Sequence, residues 1–154
     1  MGLPVPVRAL FLGFATGSRS TYGLAALTLT APAATADTPV VEHALSTPAA
    51  KAVAALAAAG ETTGDKLPQT PSRLAPGGLP LRAIGGAGCG VLLARREGVA
   101  EGAPALLGVT GALATSYAGS WFRAAAAKWF GHDAWGAVIE DGVAVAFAVL
   151  GVRR

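Results

Sequence analysis

Charged residues inside apolar stretches are the feature of this sequence that points most directly to chemistry. Arg19 interrupts the stretch FATGSRSTYGLAAL, and Glu140 and Asp141 interrupt WGAVIEDGVAVAFAVLGV. A charge at the centre of a bilayer costs about 2.5–3.5 kcal/mol on insertion scales, so such residues usually face protein or water and have a partner. Because a guanidinium keeps its proton inside proteins, we expect Arg19 to bind a carboxylate from another segment. Glu140 or Asp141 is the preferred partner, and Glu61 is the next.

Other charges lie at the ends of apolar stretches. Glu61 follows KAVAALAAAG and is soon joined by Asp65 and Lys66, while Arg82 opens a later stretch. These four have a second interpretation, as hydrated helix ends or as residues at a membrane surface, and Arg19 itself could extend to that surface. The residues predicted to line a substrate or ion path, or to form a buried charge network, are Arg19, Glu61, Asp65, Lys66, Arg82, Glu140 and Asp141. Adjacent helical residues diverge by about 100°, so Glu140 and Asp141 are expected to have different partners.

Small residues around Arg19 predict a break in the backbone. Gly17, Ser18 and Gly23 flank the arginine within an otherwise apolar stretch. A break frees backbone N–H groups, and the N-terminus of a half-helix favours anions. One interpretation is a site for an anion or a lipid head-group. The other, which the sequence favours, is that these small residues only allow helices to pack closely.

Few residues have the types or spacing that an enzyme or a metal site needs. One cysteine, Cys89, excludes an internal disulfide, and its setting in GGAGCGVLL predicts a buried, inert thiol. The two histidines and this cysteine have no zinc spacing, and no nucleophile has an evident base. We therefore expect no enzyme, no metal and no cofactor. The scattered basic residues also argue against a nucleic-acid partner.

The composition predicts an integral membrane protein. Of 154 residues, 53% are apolar before the 21 glycines are counted, and only 14% are charged, against about 25% in soluble domains. The mean hydropathy is +0.51. A small soluble domain needs plenty of polar surface, and this chain lacks it. The high apolar content excludes a disordered chain, and the single cysteine excludes a disulfide scaffold. The composition predicts a multi-pass plasma-membrane protein with the lipid bilayer as its partner. A homo-oligomer is compatible with it.

Five apolar segments predict an all-α transmembrane bundle that forms a single domain over residues 1–154. The segments are 5–31, 48–60, 79–94, 103–127 and 134–152. A straight crossing needs about 20 apolar residues; two segments are shorter and the others contain polar residues. Some segments are therefore expected to be tilted, broken or re-entrant, and Ala-rich runs favour helix throughout.

The N-terminal residues admit two interpretations. LAALTLTAPAATADTP has the form of a signal-peptide core with a cleavage site that ends at Ala36. Arg19 splits the apolar run, however, and further apolar segments follow it. We therefore predict that residues 1–36 are retained, with cleavage after Ala36 as the alternative.

The order of the charged motifs resembles a family of small bacterial integral membrane proteins defined by a domain of unknown function. The resemblance covers nearly the whole chain: GxRS, then E-x3-DK-x-P, then an arginine before a Gly-rich segment, then ED in the last segment. The matching residues are Gly17, Arg19, Glu61, Asp65, Lys66, Pro68, Arg82, Glu140 and Asp141. The stretch after Pro68 lacks the acidic residue that relatives would have. The resemblance implies a membrane location but no activity.

An internal similarity bears on topology. LGFATGSRSTYGLAAL and GALATSYAGSWFRAAAA share an Ala-Thr core, and counting the five segments as crossings predicts that the two copies are inverted, as in many transporters. Chance similarity between Ala/Gly-rich stretches is the alternative. Two functions follow from the sequence. One is transport of a small solute, ion or lipid head-group, and the other is a structural or assembly role in which buried charges only pair helices.

Overall fold

The computed structural model describes residues 2–64, 77–130 and 134–153. Over these ranges the chain is entirely helical apart from its connections, which confirms the all-α prediction. The helices are α1 (Val5–Ser18), α2 (Tyr22–Leu29), α3 (Val40–Ser46), α4 (Pro48–Gly64), α5 (Gly78–Glu97), α6 (Gly102–Phe130) and α7 (Ala134–Val152). None of the helices within the described ranges is both long enough and apolar enough to cross a membrane.

The first apolar segment is a helical hairpin rather than one continuous helix. Helix α1 ends at Ser18, Arg19 is extended with φ −138° and ψ 116°, and the N–H of Tyr22 donates to the Arg19 carbonyl over 3.0 Å. Near the other end of α2, Leu27 packs in one cluster with Ala9 from the start of α1. Helix α2 therefore runs back along α1, and residues 19–21 form what we call the hairpin tip.

Glycines bring α1, α5 and α6 into close contact. A Cβ atom on Gly13 or on Gly86 would overlap the carbonyl oxygen of Gly108, and one on Gly17 would overlap that of Ala112. Such small-residue contacts are typical of helices that associate without a hydrophobic driving force. They make α1 the central helix, in contact with α2, α5, α6 and α7.

The same contacts show that the expectation of an inverted repeat is wrong. Gly13 lies against Gly108 and Gly17 against Ala112. Residue numbers therefore increase in the same direction along α1 and α6, so the two helices are parallel. The α1 part of the first similar stretch and the second stretch in α6 therefore point in the same direction. The reason is the hairpin, because the turn at residues 19–21 adds one reversal inside a segment that was counted as a single crossing.

Helix α4 lies against α2 on one side of the bundle. Its Lys51 Nζ donates to the Ala31 carbonyl over 2.9 Å, and its Glu61 reaches the hairpin tip. The helix therefore runs from the end of the bundle that contains Arg8 towards the tip. The preceding helix α3 was not predicted, because seven residues are too few for a clear apolar pattern.

Candidate functional site at the hairpin tip

Arg19 is the most deeply buried charge at the hairpin tip. The residue has 0% exposure, and its Nε donates to Oδ1 of Asp141 over 2.7 Å. One terminal nitrogen lies 2.5 Å from the same oxygen, and the Asp141 side chain retains 17% exposure. The expected ion pair between Arg19 and an acid of the last segment is therefore confirmed, with Asp141 as the acid.

Glu61 occupies the anion position that the backbone break creates. Its carboxylate accepts the backbone N–H groups of Ser20 and Thr21 over 2.6 and 2.8 Å. The hydroxyls of the same two residues donate over 2.7 and 2.5 Å. The free N–H groups and the dipole at a helix N-terminus favour an oxyanion. Within the described residues, the predicted anion site at the start of α2 thus holds a carboxylate from α4.

A second contact fastens α4 beside the tip. The Tyr22 hydroxyl lies 2.6 Å from Oγ1 of Thr62, one residue beyond Glu61. The two neighbouring residues of α4 therefore contact three consecutive residues of the α1–α2 turn. This arrangement fixes the position of the Glu61 carboxylate relative to the turn.

Glu140 has a different neighbour from Asp141, as the helical geometry predicts. Its carboxylate lies 3.7 Å from a terminal nitrogen of Arg123 in α6, and its side chain is 6% exposed. The two adjacent acids thus connect α7 to two different helices, α6 through Glu140 and α1 through Asp141. Both acids lie within the bundle near the tip.

The small residues around Arg19 serve close packing. A Cβ atom on Gly17 would overlap Oγ1 of Thr115, and one on Gly23 would overlap Oγ1 of Thr16. Ser18 is 4% exposed. The packing interpretation therefore describes Gly17 and Gly23, and the break lies between them at residues 19–21.

The remaining predicted residues divide into two groups. Arg82 is buried near the start of α5, with 8% exposure, and its location at a membrane surface stays a prediction. Asp65 and Lys66 lie outside the described residues, as does Pro68.

A third buried arginine, Arg8, was not predicted from the sequence. It is 4% exposed, and it donates to the carbonyls of Gly151 and Val152 over 3.1 and 3.3 Å. A further nitrogen lies 3.0 Å from a carboxylate oxygen of Glu97. One signal could have found it. Arg8 precedes Arg19 by 11 residues, which is about three helical turns and places both on one face.

The remaining groups with possible chemistry are the thiol of Cys89 and the side chains that could bind a metal ion. Cys89 is a free, buried thiol whose sulfur lies 3.8 Å from Oγ1 of Thr16, as its Gly-rich setting predicted. Within residues 2–64, 77–130 and 134–153, no group of three or more His, Cys, Asp or Glu side chains is arranged to hold a metal ion.

Comparisons of the chain with models of known protein families, with curated proteins and with solved structures found no match.

Proposed function

We propose that the protein is a multi-pass plasma-membrane protein that moves a small solute, ion or lipid head-group past the hairpin tip. The observation that carries the proposal is the tip itself, where a fully buried Arg19 pairs with Asp141 of α7 and the next residue, Ser20, binds Glu61 of α4. Membership of the membrane-protein family that the sequence resembles is part of the same proposal, and it rests on the motif order alone.

The outer surface of the bundle supports the membrane location. The exposed positions in four stretches, 52–60, 80–88, 102–124 and 138–149, include no charged residue. Large apolar side chains are among them: Leu56 is 72% exposed, Ile84 70%, Leu106 69% and Trp121 74%. Large exposed apolar patches are rare on soluble proteins. The proposal rests on this surface composition and not on the hydropathy of any one helix.

The interior of the bundle contains polar and charged side chains beside its apolar core. Its buried side chains include four charged residues and four hydroxyl residues: Arg8, Arg19, Arg82, Glu140, Thr16, Ser18, Thr28 and Ser116. Arg and Glu are almost never fully buried in soluble proteins unless they are paired. Polar groups inside and apolar groups outside are the distribution expected when hydrocarbon surrounds the protein.

The depth of the tip supports a role in passage of a substrate. Ser116, whose hydroxyl lies 3.3 Å from the Gly17 carbonyl, is at the middle of α6, which has 29 residues. At 1.5 Å per residue α6 is about 43 Å long, close to the thickness of a bilayer with its head-groups. The tip is therefore halfway along the longest helix. Broken helices with polar termini at this depth are where many transporters bind their substrates.

The Glu61 contact indicates how the site would work. The N-terminus of α2 already binds a carboxylate, so the same N–H and hydroxyl groups have the geometry for an oxyanion. The carboxylate belongs to α4, which in the described part of the chain packs mainly against α2. In the proposed mechanism, a passing substrate exchanges with the Glu61 carboxylate while Arg19 and Asp141 remain paired.

The second candidate is a structural or assembly role. It is favoured by the pairing at the tip, where Arg19 binds Asp141, Glu61 binds the start of α2, and Glu140 neighbours Arg123. In that case the charges only fix the helices relative to one another, and the tip excludes water.

Accessibility of the tip to a water-soluble thiol reagent tests the proposal. Ser20→Cys is placed in a Cys89→Ala background and reconstituted in sealed vesicles. Ser20 is suitable because it is partly exposed, and its backbone N–H contact with Glu61 survives the change. Ser116→Cys, at a fully buried position between α1 and α6, is the matched control.

Transport predicts that a membrane-impermeant maleimide modifies Ser20→Cys but not Ser116→Cys. It also predicts that Glu61→Gln leaves the protein folded and changes the rate of that modification. If Ser20→Cys remains unmodified in folded protein, the tip is dry and the structural role is correct.

A further inference from the structure

The basic residues of the chain are divided almost equally between the two ends of the bundle. We call the end that contains Arg8 the Arg8 end, and the opposite end, from the hairpin tip outwards, the tip end. The orientation of a membrane protein follows the difference in Lys and Arg between its two sides, and acidic residues contribute little to it. The division therefore bears directly on how the chain is inserted into a bilayer.

Contacts between helices assign basic residues to the Arg8 end. Arg8 bonds to carbonyls at the end of α7 and pairs with Glu97 at the end of α5. Lys51, near the start of α4, bonds to the carbonyl of Ala31, which follows α2 at the same end. The described residues of the Arg8 end thus include five basic side chains: Arg8, Lys51, Arg95, Arg96 and Arg153.

The described residues of the tip end include four basic side chains. Arg19 is part of the tip, and Arg82 is near the start of α5, which runs from the tip end to the Arg8 end. Arg123 and Lys128 follow Ser116, the residue of α6 that contacts the end of α1. The difference between the two ends is therefore a single residue.

The other three of the 12 basic residues lie outside the described residues. Lys66 and Arg73 come between α4 and α5 in the sequence, and Arg154 follows Arg153. Because they are divided two and one between these parts of the sequence, they supply no large excess to either.

We propose that the chain is inserted into the bilayer in both orientations, with the Arg8 end facing the cell interior in one population and the tip end in the other. The basic residues act on orientation through their difference between the two sides, and here that difference nearly vanishes. The inference rests on the membrane location within the proposed function. It does not depend on transport at the tip.

Copies in opposite orientations are inverted relative to one another. Many transporters obtain such inversion from two repeats within one chain, whereas α1 and α6 of this chain are parallel. The tip lies beside Ser116 at the middle of α6, so copies in either orientation hold the tip at a similar depth. The two populations thus provide the inversion between chains that is missing within one chain.

Labelling at one exposed position measures the two populations. Ala33→Cys in a Cys89→Ala background introduces a thiol at an exposed position, next to Pro32, which lines a cavity together with Arg8. Spheroplasts of a bacterial host that expresses this variant are treated with a membrane-impermeant maleimide before and after permeabilisation. We expect about half of the thiol to react in intact spheroplasts, and the rest to react only after permeabilisation.

Two exposed basic residues at opposite ends provide matched variants. Arg95→Gln removes one positive charge from the Arg8 end, and Lys128→Gln removes one from the tip end. Because the less basic end is translocated more readily, Arg95→Gln should increase the labelling of Ala33→Cys in intact spheroplasts and Lys128→Gln should decrease it. We expect each variant to shift the ratio of the two orientations severalfold. A loss of folding would not shift this ratio in opposite directions.

The proposal is overturned if nearly all or nearly none of the Ala33→Cys thiol reacts in intact spheroplasts. It is also overturned if the two charge variants leave the ratio unchanged or shift it in the same direction. Release of the protein from membranes by a carbonate wash would show that the membrane location itself is wrong. A protein that stays in the membrane in one orientation would contradict this inference alone.

Discussion

Two buried arginines, Arg8 near the start of α1 and Arg19 directly after its end, are held by different kinds of partner. Arg8 donates to two backbone carbonyls near the end of α7 and pairs with Glu97, whose side chain is 23% exposed. Arg19 pairs with Asp141, whose side chain is 17% exposed, and is itself fully buried. An arginine at one end of α1 is thus held by a helix C-terminus together with Glu97, and the arginine at the other end by a half-buried carboxylate.

The difference between the two partners decides what remains when the arginine is lost. The last carbonyls of α7 have no partner within their own helix, and without Arg8 they are left as unsatisfied dipoles. Without Arg19, Asp141 is left as a full negative charge inside the protein. An uncompensated buried charge is the more costly of the two, so the tip should be the more sensitive region.

The largest effect is expected for Arg19→Met. Removing one partner of a buried ion pair costs about 3–5 kcal/mol of unfolding free energy, and the remaining charge here is Asp141. Combining Arg19→Met with Asp141→Ala should recover part of that loss. Chemical unfolding in detergent micelles measures the whole cycle. Additive losses from the two single changes would show that the pair is not coupled.

Arg8→Met should cost less, about 1.5–3 kcal/mol, which is typical of hydrogen bonds that involve a charged group. The methionine chain preserves most of the packing, and Glu97 can turn towards water. The same unfolding assay applies. A loss equal to or larger than that of Arg19→Met would contradict the comparison between the two ends.

Ser20→Ala tests the Glu61 contact on a smaller scale. It removes one of four hydrogen bonds to that carboxylate, so we expect a loss of about 1 kcal/mol. Thr63→Ala is the control, because the Thr63 hydroxyl bonds only to carbonyls of its own helix. An equal response of the two variants would mean that the Glu61 contact adds nothing to stability.

The smallest effect is expected for Arg95→Ala. Arg95 is an exposed residue whose Nε lies 2.8 Å from Glu101. The hydrogen bond to Glu101 and the charge of that carboxylate raise the pKa of Arg95 above its ordinary value. Surface ion pairs of this kind contribute little to stability because water screens them. No change in the unfolding midpoint is expected, and a change comparable to that of Arg8→Met would require a buried role for this arginine.

The sequence predicted the partners at the tip better than the path of the chain. A fixed charge in an apolar stretch needs an opposite charge, and the last segment offered two acids, so a pairing of Arg19 with Glu140 or Asp141 followed from chemistry alone. The structure identifies Asp141 as the partner. The direction of α2 did not follow. An apolar run that continues past a break has the same composition whether the chain goes onward or turns back.

The pattern of apolar segments did not predict two other features, the burial of Arg8 and the identity of the anion at the start of α2. Arg8 precedes the polar residues of the tip and lies near the start of the chain, where a positive charge is ordinary, so its burial against α7 gave no signal by itself. The identity of the anion at the start of α2 also depends on tertiary structure. A free N-terminus predicts an anion, but only the packing of α4 decides that Glu61 supplies it.

The central claim is that lipid surrounds a bundle whose polar groups lie inside, and a spin label on α6 tests it most directly. Ala114 is exposed, and the adjacent Thr115 donates to the Phe14 carbonyl over 2.9 Å, so the position is close to the level of the tip. Ala114→Cys in a Cys89→Ala background is labelled, reconstituted in vesicles and exposed to oxygen or to a water-soluble nickel complex. Glu101→Cys serves as the water-exposed reference. We expect the label at position 114 to collide mainly with oxygen and the reference label mainly with nickel. Greater access of nickel than of oxygen at position 114 would contradict the account.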